Sequence, residues 1–274
     1  MTNPWWSNSG GFFGTKYLEG DNSLEGYLPE RTETIHQRTT REVDGIIKLL
    51  DLKKGSRILD CPCGYGRHSN ELASRGMVMF GVDINRDFLK VAEEESIKRF
   101  NPKEKVHWKP PMPVFMHGDM RDIPGPSCEN IINMFYSFGF FETDEENEKV
   151  MDEFWWYLPM PEGGNLLIHT DVSPEIITSG RYRFSETRNL KSGKRLRIEE
   201  SYNPHTKRMN GSWTIIQPDG KEEKLTPYSV RIYSQQEFEE MAKKVGFKET
   251  KFYGSFNGEE FKKDSPEMIM VAKK

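Results

Sequence analysis

The chain has 274 residues, enough for one sizeable core, so one domain with an elaboration is expected rather than two independent domains. With 39 basic against 43 acidic side chains and a net charge of −4, it has no global electrostatic attraction to nucleic acid or anionic membrane. No run approaches the roughly 18 apolar residues of a membrane-crossing helix, and Met1-Thr2-Asn3-Pro4-Trp5-Trp6 lacks the basic-then-apolar order of a secretory leader, so a cytoplasmic location is expected.

Residues 1 to 30 crowd Trp5, Trp6, Phe12, Phe13, Tyr17 and Tyr27 among glycines without a clear period. Large rings are costly to leave in water, so this arm should pack over the core or over the open edge of a ligand pocket. From Glu33 to Leu50 the spacing of Ile35, Val43, Ile46, Ile47 and Leu50 predicts a helix, with Arg38 and Arg41 about one turn apart on it. Ile58-Leu59-Asp60 then reads as a strand ending in an acid, Cys61 to Gly66 as a tight loop, and Arg67 onward as a helix with Leu72 and Ala73 on one face. Gly64 and Gly66 let backbone approach a ligand closely, and the helix presents free N–H groups, which makes this loop a candidate nucleotide site.

Met77 to Val82 is a second strand ending in Asp83, and an acid at the tip of a second parallel strand is where ribose hydroxyls are held. Asn85 can cap a helix from Arg86 to about Phe100. Pro102, Pro110, Pro111 and Pro113 make the next stretch extended surface chain, after which Val114 to His117 forms a third strand leading into Gly118-Asp119-Met120. Asn130 to Met134 is a fourth strand, running into Phe135-Tyr136-Ser137-Phe138-Gly139. Thr143-Asp144-Glu145-Glu146 predicts a capping box for a helix through Trp156. Gly163-Gly164 turns into a fifth strand, Asn165 to His169, whose tip brings His169 and Asp171 to the same sheet edge as Asp83 and Asn133.

Between Pro174 and Arg231 the pattern changes to partial alternation (Leu196, Ile198, Tyr202; Met209, Trp213, Ile215), broken by Lys191-Ser192-Gly193, Asn203-Pro204 and Pro218-Asp219-Gly220. These runs predict inserted antiparallel strands. A helix from Ser234 through Ala242 stops at Gly246, and strands over 251–256 and 267–272 close the chain. The cysteines Cys61, Cys63 and Cys128 are too few, and odd in number, for a disulfide framework; with no second pair at ligand spacing, no metal is expected.

In this order, Asp60-x-x-x-Gly64-x-Gly66, a strand ending in Asp83, Gly118-Asp119-Met120 and an apolar strand ending in Asn133 resemble the class I S-adenosylmethionine (SAM) dependent methyltransferases. The resemblance covers about residues 38 to 170, with weaker similarity beyond. Such proteins usually have glycine two positions after the strand acid; here Pro62 stands there, with fixed φ and no N–H to donate. The resemblance implies an α/β fold: a Rossmann-like seven-stranded sheet with helices on both faces, plus an inserted antiparallel β lid. It divides the chain into an aromatic arm (1–30), a core (31–173 with 232–274) and the lid (174–231). It also implies SAM as cofactor and S-adenosylhomocysteine as product. By the same resemblance, Arg38 sits at the offset from Asp60 that suits the methionine carboxylate, with Tyr17 contributed by the arm. Asp60, Cys61, Gly64 and Gly66 form the loop, with Asp83 and Ile84 at the ribose. Asp119 would accept from the adenine amino group with Met120 beside the ring, and Asn133 closes the fourth strand.

Methyl transfer from a sulfonium needs neither metal nor covalent intermediate. The protein must align nucleophile, carbon and sulfur, exclude water, and supply a base if the acceptor arrives protonated. Tyr136 and His169 are the candidate catalytic residues. An unpaired imidazole on an apolar strand is costly, so His169 either has a local partner or faces the pocket as a base, with Asp171 nearby.

Asn133-Met134-Phe135-Tyr136 departs from the Asn/Asp-Pro-Pro-aromatic motif of many enzymes that methylate amino groups of nucleobases or glutamine. A small-molecule acceptor, methylated on O or N, is therefore the preferred reading, with no nucleic-acid or membrane partner and a homodimer left open. The alternatives are an RNA or protein acceptor, or a catalytically silent SAM-binding protein. Arg181, Arg183, Arg188, Lys191, Lys194, Arg195 and Arg197 either steer an anion or form a solvated face. A dinucleotide oxidoreductase would share the strand, loop and helix, but Ser69 stands where its third glycine or alanine belongs.

Overall fold

The structure, a computed structural model, describes residues 4–8, 11–21, 33–100, 111–161, 163–190 and 192–274. Tyr27, the linker from 101 to 110 and Lys191 lie outside the described residues. The chain runs α1 (Thr15–Asp21), α2 (Ile35–Leu49), β1 (Arg57–Asp60), α3 (Arg67–Ser74), β2 (Val78–Asp83), α4 (Arg86–Phe100), β3 (Val114–His117), β4 (Asn130–Asn133), α5 (Asp144–Tyr157) and β5 (Asn165–Thr170). A second group follows: α6 (Pro174–Thr178), β6 (Ser185–Asn189), β7 (Arg195–Asn203), β8 (Arg208–Ile216), β9 (Glu222–Lys224) and β10 (Tyr228–Arg231). Then α7 (Gln235–Val245), β11 (Glu249–Tyr253) and β12 (Met268–Lys273) close the chain.

The larger sheet has the order β11-β12-β5-β4-β1-β2-β3. Its five sequence-early strands pair in parallel and β12 lies antiparallel between β5 and β11. Because successive strand residues point to opposite faces, each buried pair splits between two cores. Ile58, Ile132, Leu167 and Ile269 pack with Val43, Ile46 and Leu72 of α2 and α3. Leu59, Ile131, Leu166 and Met270 pack with Phe154 and Phe238 of α5 and α7. The chain reverses direction across the sheet at β1, which has β2 on one side and β4 on the other, and this switch point opens a crevice beyond the carboxyl ends of the strands.

Local chemistry sets the helix ends. Thr34 with Gln37 and Ser234 with Glu237 form reciprocal capping boxes, and Gly246 ends α7 at φ 111°. Thr143 accepts from the Glu146 N–H at 3.2 Å, but the reciprocal bond expected of Glu146 is replaced by an ion pair to Arg121 at 2.6 Å. Among the described residues no helix is long and apolar enough to cross a membrane.

A second sheet, β10-β8-β7-β6 with β9 also on β8, comprises strands that all lie between 185 and 231. β9 and β10 are separate strands, because Pro227 between them has no N–H for a ladder. One face of this sheet carries Leu196, Ile198, Trp213, Ile215, Tyr228 and Val230, and the arm covers it with Trp5, Phe12, Phe13 and Tyr17. Part of the arm is helical, which six rings without a period did not signal.

Candidate active site

Asp60 closes β1 in the interior, where its Oδ2 accepts from Ser69 Oγ at 2.6 Å and burial pushes its carboxyl up to about 7. The following loop contains two left-handed glycines, Gly64 at φ 54° and Gly66 at φ 75°. A Cβ on Gly66 would meet Ala92 Cβ at 2.7 Å and the Phe115 ring at 2.9 Å, so that glycine serves packing. A Cβ on Gly64 would meet nothing within 4 Å, because that side opens on a cleft. Asp83 fastens the loop: the Gly64 N–H donates to Oδ2 at 2.7 Å and the Asn85 N–H to Oδ1 at 2.8 Å, while burial raises its carboxyl to about 6.

The cleft contains about 930 Å³ of space free of protein atoms, part of it open to solvent. Of the cofactor residues expected, Tyr17, Cys61, Gly64, Asp83, Ile84, Asp119 and Met120 line it. Asp60, Gly66 and Asn133 stand behind it. Asn133 donates from Nδ2 to the Cys61 carbonyl at 2.9 Å, tying the loop to β4. Arg38 also misses the cleft. It is buried, with Nε donating to Glu42 at 2.7 Å, Nη2 lying 3.7 Å from Asp171, and its guanidinium 4.4 Å from the Phe135 ring centroid.

The arginine that does line the cleft is Arg67, which the sequence reading passed over although it directly follows the glycine loop. Its Nη1 donates to Glu42 at 2.5 Å and to Thr39 Oγ1 at 3.0 Å. Glu42, 0% exposed, thus collects Arg38, Arg67 and His68 Nε2 at 2.8 Å. Burial opposes its ionisation, yet Arg67 and Arg38 hold it well below the usual carboxylate range. Burial, with Arg67 adding to it, pushes the His68 imidazole down to about 4, which leaves it neutral at physiological pH.

At the other end Asp119 is gripped by Arg121 through its backbone N–H at 2.8 Å and Nη2 at 2.7 Å. Arg121 lies 4.1 Å from the Phe141 ring centroid and 5.6 Å from that of Trp6, both of which line the cleft. Burial works against the Asp119 charge, but the Arg121 bonds hold its carboxyl below the usual range. Burial pushes the Cys61 and Cys63 thiols well up, so neither is a ready nucleophile or metal ligand. Among the described residues no three His, Cys, Asp or Glu side chains are placed to hold a metal ion.

A second cavity, with about 1210 Å³ of free space partly open to solvent, lies between the core and the second sheet. Phe13, Tyr17, Phe135 and Phe140 line both spaces and form the wall between them. Tyr136, expected at the reaction site, lines the second cavity; its hydroxyl oxygen is buried and has no hydrogen-bond partner among the described residues, and burial raises its pKa well above the usual value. Asp171 lines it too, as does Glu200, which sequence reasoning missed. The basic run divides: Arg181, Arg183 and Arg188 line the cavity, while Lys194 pairs with Glu19 at 3.0 Å and Arg197 with Glu222 at 2.8 Å.

His169, expected either to have a local partner or to face the pocket as a base, is not brought to either cavity. Its side chain is 0% exposed, Nδ1 accepts the Phe135 N–H at 3.2 Å, and burial pushes its pKa well below 6.5. Register places it at the strand tip, but the ring points back into the fold.

Residues 59–159 match the model of a methyltransferase domain. The curated 27-O-demethylrifamycin SV methyltransferase of Amycolatopsis mediterranei (strain S699) is 29% identical over 112 residues, which is 40% of this chain and 38% of that protein's length. Among solved structures, the CcbJ methyltransferase of Streptomyces caelestis superposes with a TM-score of 0.69 at 17% identity, over 90% of this chain and 99% of that one. A SAM-bound amino pentose methyltransferase of Micromonospora echinaspora, involved in calicheamicin biosynthesis, gives 0.61 at 18% identity, over 88% and 92%. Residues 59–159 thus resemble a methyltransferase domain, and the fold is that of the SAM-dependent methyltransferases.

Proposed function

We propose that this protein transfers the methyl group of SAM to an O or N atom of a small-molecule acceptor by in-line displacement. The observation that carries this is the wall of Phe13, Tyr17, Phe135 and Phe140, across which the two spaces meet. One space carries the glycine loop and Asp83; the other is closed by the arm and by the lid proposed at 174–231.

The residues present fit SAM. Asp83 and Ile84 would hold the ribose, Asp119 and Met120 the adenine, and Arg67 the methionine carboxylate with two parallel bonds. SAM supplies a methyl group already activated on a sulfonium. The chain's own part is to orient the acceptor, exclude water with the shared rings, and offer the Tyr136 hydroxyl as a hydrogen-bonding group. With its pKa raised, that phenol is not an anionic base at neutral pH. The acceptor class draws support from the relatives, which are named for a rifamycin derivative and an amino pentose.

Thermal denaturation tests the reading. SAM and S-adenosylhomocysteine should each raise Tm, because a ligand that binds only the native state stabilises it by mass action, and NAD should not. An equal shift with NAD, or none with SAM, would remove the proposal.

A further inference from the structure

Along β7 the residues facing the arm and core are Leu196, Ile198, Glu200 and Tyr202, so a carboxylate occupies a position that the pleat reserves for apolar side chains. The neighbouring strands are built around it. Glu200 pairs with Gly211 on β8, and Gly211 pairs in turn with Tyr228 on β10, so the three lie in line across the sheet. A Cβ on Gly211 would run into the Tyr228 ring; its absence lets that ring lie across the strand and carry its hydroxyl to Glu200 Oε1 at 2.5 Å. From the other side Tyr182 donates its hydroxyl to Oε2 at 2.5 Å. Two of the four lone-pair sites of the carboxylate are thereby used, and two remain.

Among the described residues no ion pair balances this charge: Asp171 has Arg38 at 3.7 Å and Glu186 has Arg188, but Glu200 forms none. Burial pushes its carboxyl above the usual range, and the nearby Asp171 and Glu186 add to that push. Arg181 and Arg183 also line the cavity, yet the Arg181 guanidinium is engaged with the Asp264 carbonyl at 2.9 Å. The surroundings are aromatic: Trp5, Phe12, Tyr136, Tyr182, Trp213 and Tyr228 line the same space. A carboxylate set among ring faces, beside a phenol with no hydrogen-bond partner among the described residues, is suited to a cation that is partly apolar.

We infer that Glu200, between the hydroxyls of Tyr182 and Tyr228, receives a cationic amino group of the acceptor at the lid side of the second cavity. The inference rests on that cavity being the acceptor site, and it names the acceptor class as aliphatic amines carrying apolar bulk. Glu200 is on this account a specificity-determining residue.

The test compares 2-phenylethylamine with 2-phenylethanol, which share a shape and differ in charge, by ligand-observed NMR titration of the full chain saturated with S-adenosylhomocysteine at near-neutral pH. The wild type should bind the amine at least about tenfold more tightly, a difference of about 1.4 kcal/mol. Glu200→Gln should bring the two within about twofold while the SAM-induced Tm shift stays unchanged, and Tyr228→Phe should reduce the preference partially. Equal binding in the wild type, binding of neither probe, or a preference that survives Glu200→Gln would overturn the inference. An amine preference lost in Glu200→Gln, in a protein whose Tm does not respond to SAM, would uphold the cation site and remove the methyltransferase reading instead.

Discussion

His169 holds Phe135 through its ring and Tyr136 through its backbone: Nδ1 accepts the Phe135 N–H at 3.2 Å and the carbonyl accepts the Tyr136 N–H at 3.1 Å. Both held residues are left-handed, each at φ 62°. That conformation costs a non-glycine residue roughly 1–2 kcal/mol, and here it aims two rings into the cavities from the end of β4. His169→Leu should leave the Phe135 N–H buried without an acceptor, at a cost of about 1–3 kcal/mol, and should raise the acceptor KM. His169→Asn, whose amide oxygen can take the place of Nδ1, should lose less. Because burial holds the imidazole well below 6.5, the rate should show no limb near that pH. Such a limb in the wild type, missing in His169→Asn, would restore the base role.

With Asp83 as the proposed ribose acceptor, SAM binding should depend on pH. Its carboxyl is raised to about 6 in the empty protein, and ribose hydroxyls are better received by the carboxylate than by the acid. Affinity should therefore be level above pH 6 and weaken by up to about tenfold per unit below it. Stability of the empty protein takes the opposite sign. A carboxyl whose folded pKa is raised favours the fold most below its unfolded value of about 3.9, and that contribution is lost as pH rises through 6. Calorimetric titration of Asp83→Asn should find weak binding without the slope; a flat wild-type profile would count against Asp83 as the ribose acceptor.

The two arginines that meet at Glu42 should separate cleanly. Arg67→Met should weaken SAM about 10- to 100-fold, as expected for a lost charge-assisted bond, because Glu42 keeps Arg38 and His68. Arg38→Met should instead destabilise the fold by about 3–5 kcal/mol, the range for breaking a buried pair. Binding and melting measured on both variants decide between them. The reverse pattern would reinstate Arg38 as the carboxylate ligand.

Trp213 stacks on Tyr17, with centroids 5.2 Å apart and planes 13° from parallel, and so connects the second sheet to the arm over the cleft. Trp213→Ala should cost about 3–5 kcal/mol, as buried aromatic truncations do. It should also weaken SAM through the loosened Tyr17. Unchanged SAM affinity would show that Phe12, Phe13 and Phe88 suffice to hold Tyr17.

The strands, the glycine loop and the acids at strand tips were legible because their signals are local: a period of two, a turn that demands glycine, an acid ending an apolar run. Side-chain direction was less so. Offset along the chain pointed to Arg38, but α2 turns that residue into the Glu42 cluster and α3 presents Arg67 instead. His169 was placed at the right edge, yet which way its ring points depends on a left-handed turn at the end of the preceding strand. Glu200 was readable and missed. The alternation Leu196, Ile198, Tyr202 passes straight through it, and a period of two puts it on their face. The short helices α1 and α6, of 7 and 5 residues, are too brief to show a period at all.

Phe13, Tyr17, Phe135 and Phe140 belong to both spaces, so neither ligand can be seated without reference to the other. Whatever free energy the first ligand loses in settling those rings, the second does not lose again. The two affinities are then coupled, and coupling in binding is reciprocal: the factor by which cofactor tightens acceptor equals the factor by which acceptor tightens cofactor. A protein made this way couples its two ligands without any moving domain, and its two sites behave as a single cooperative unit.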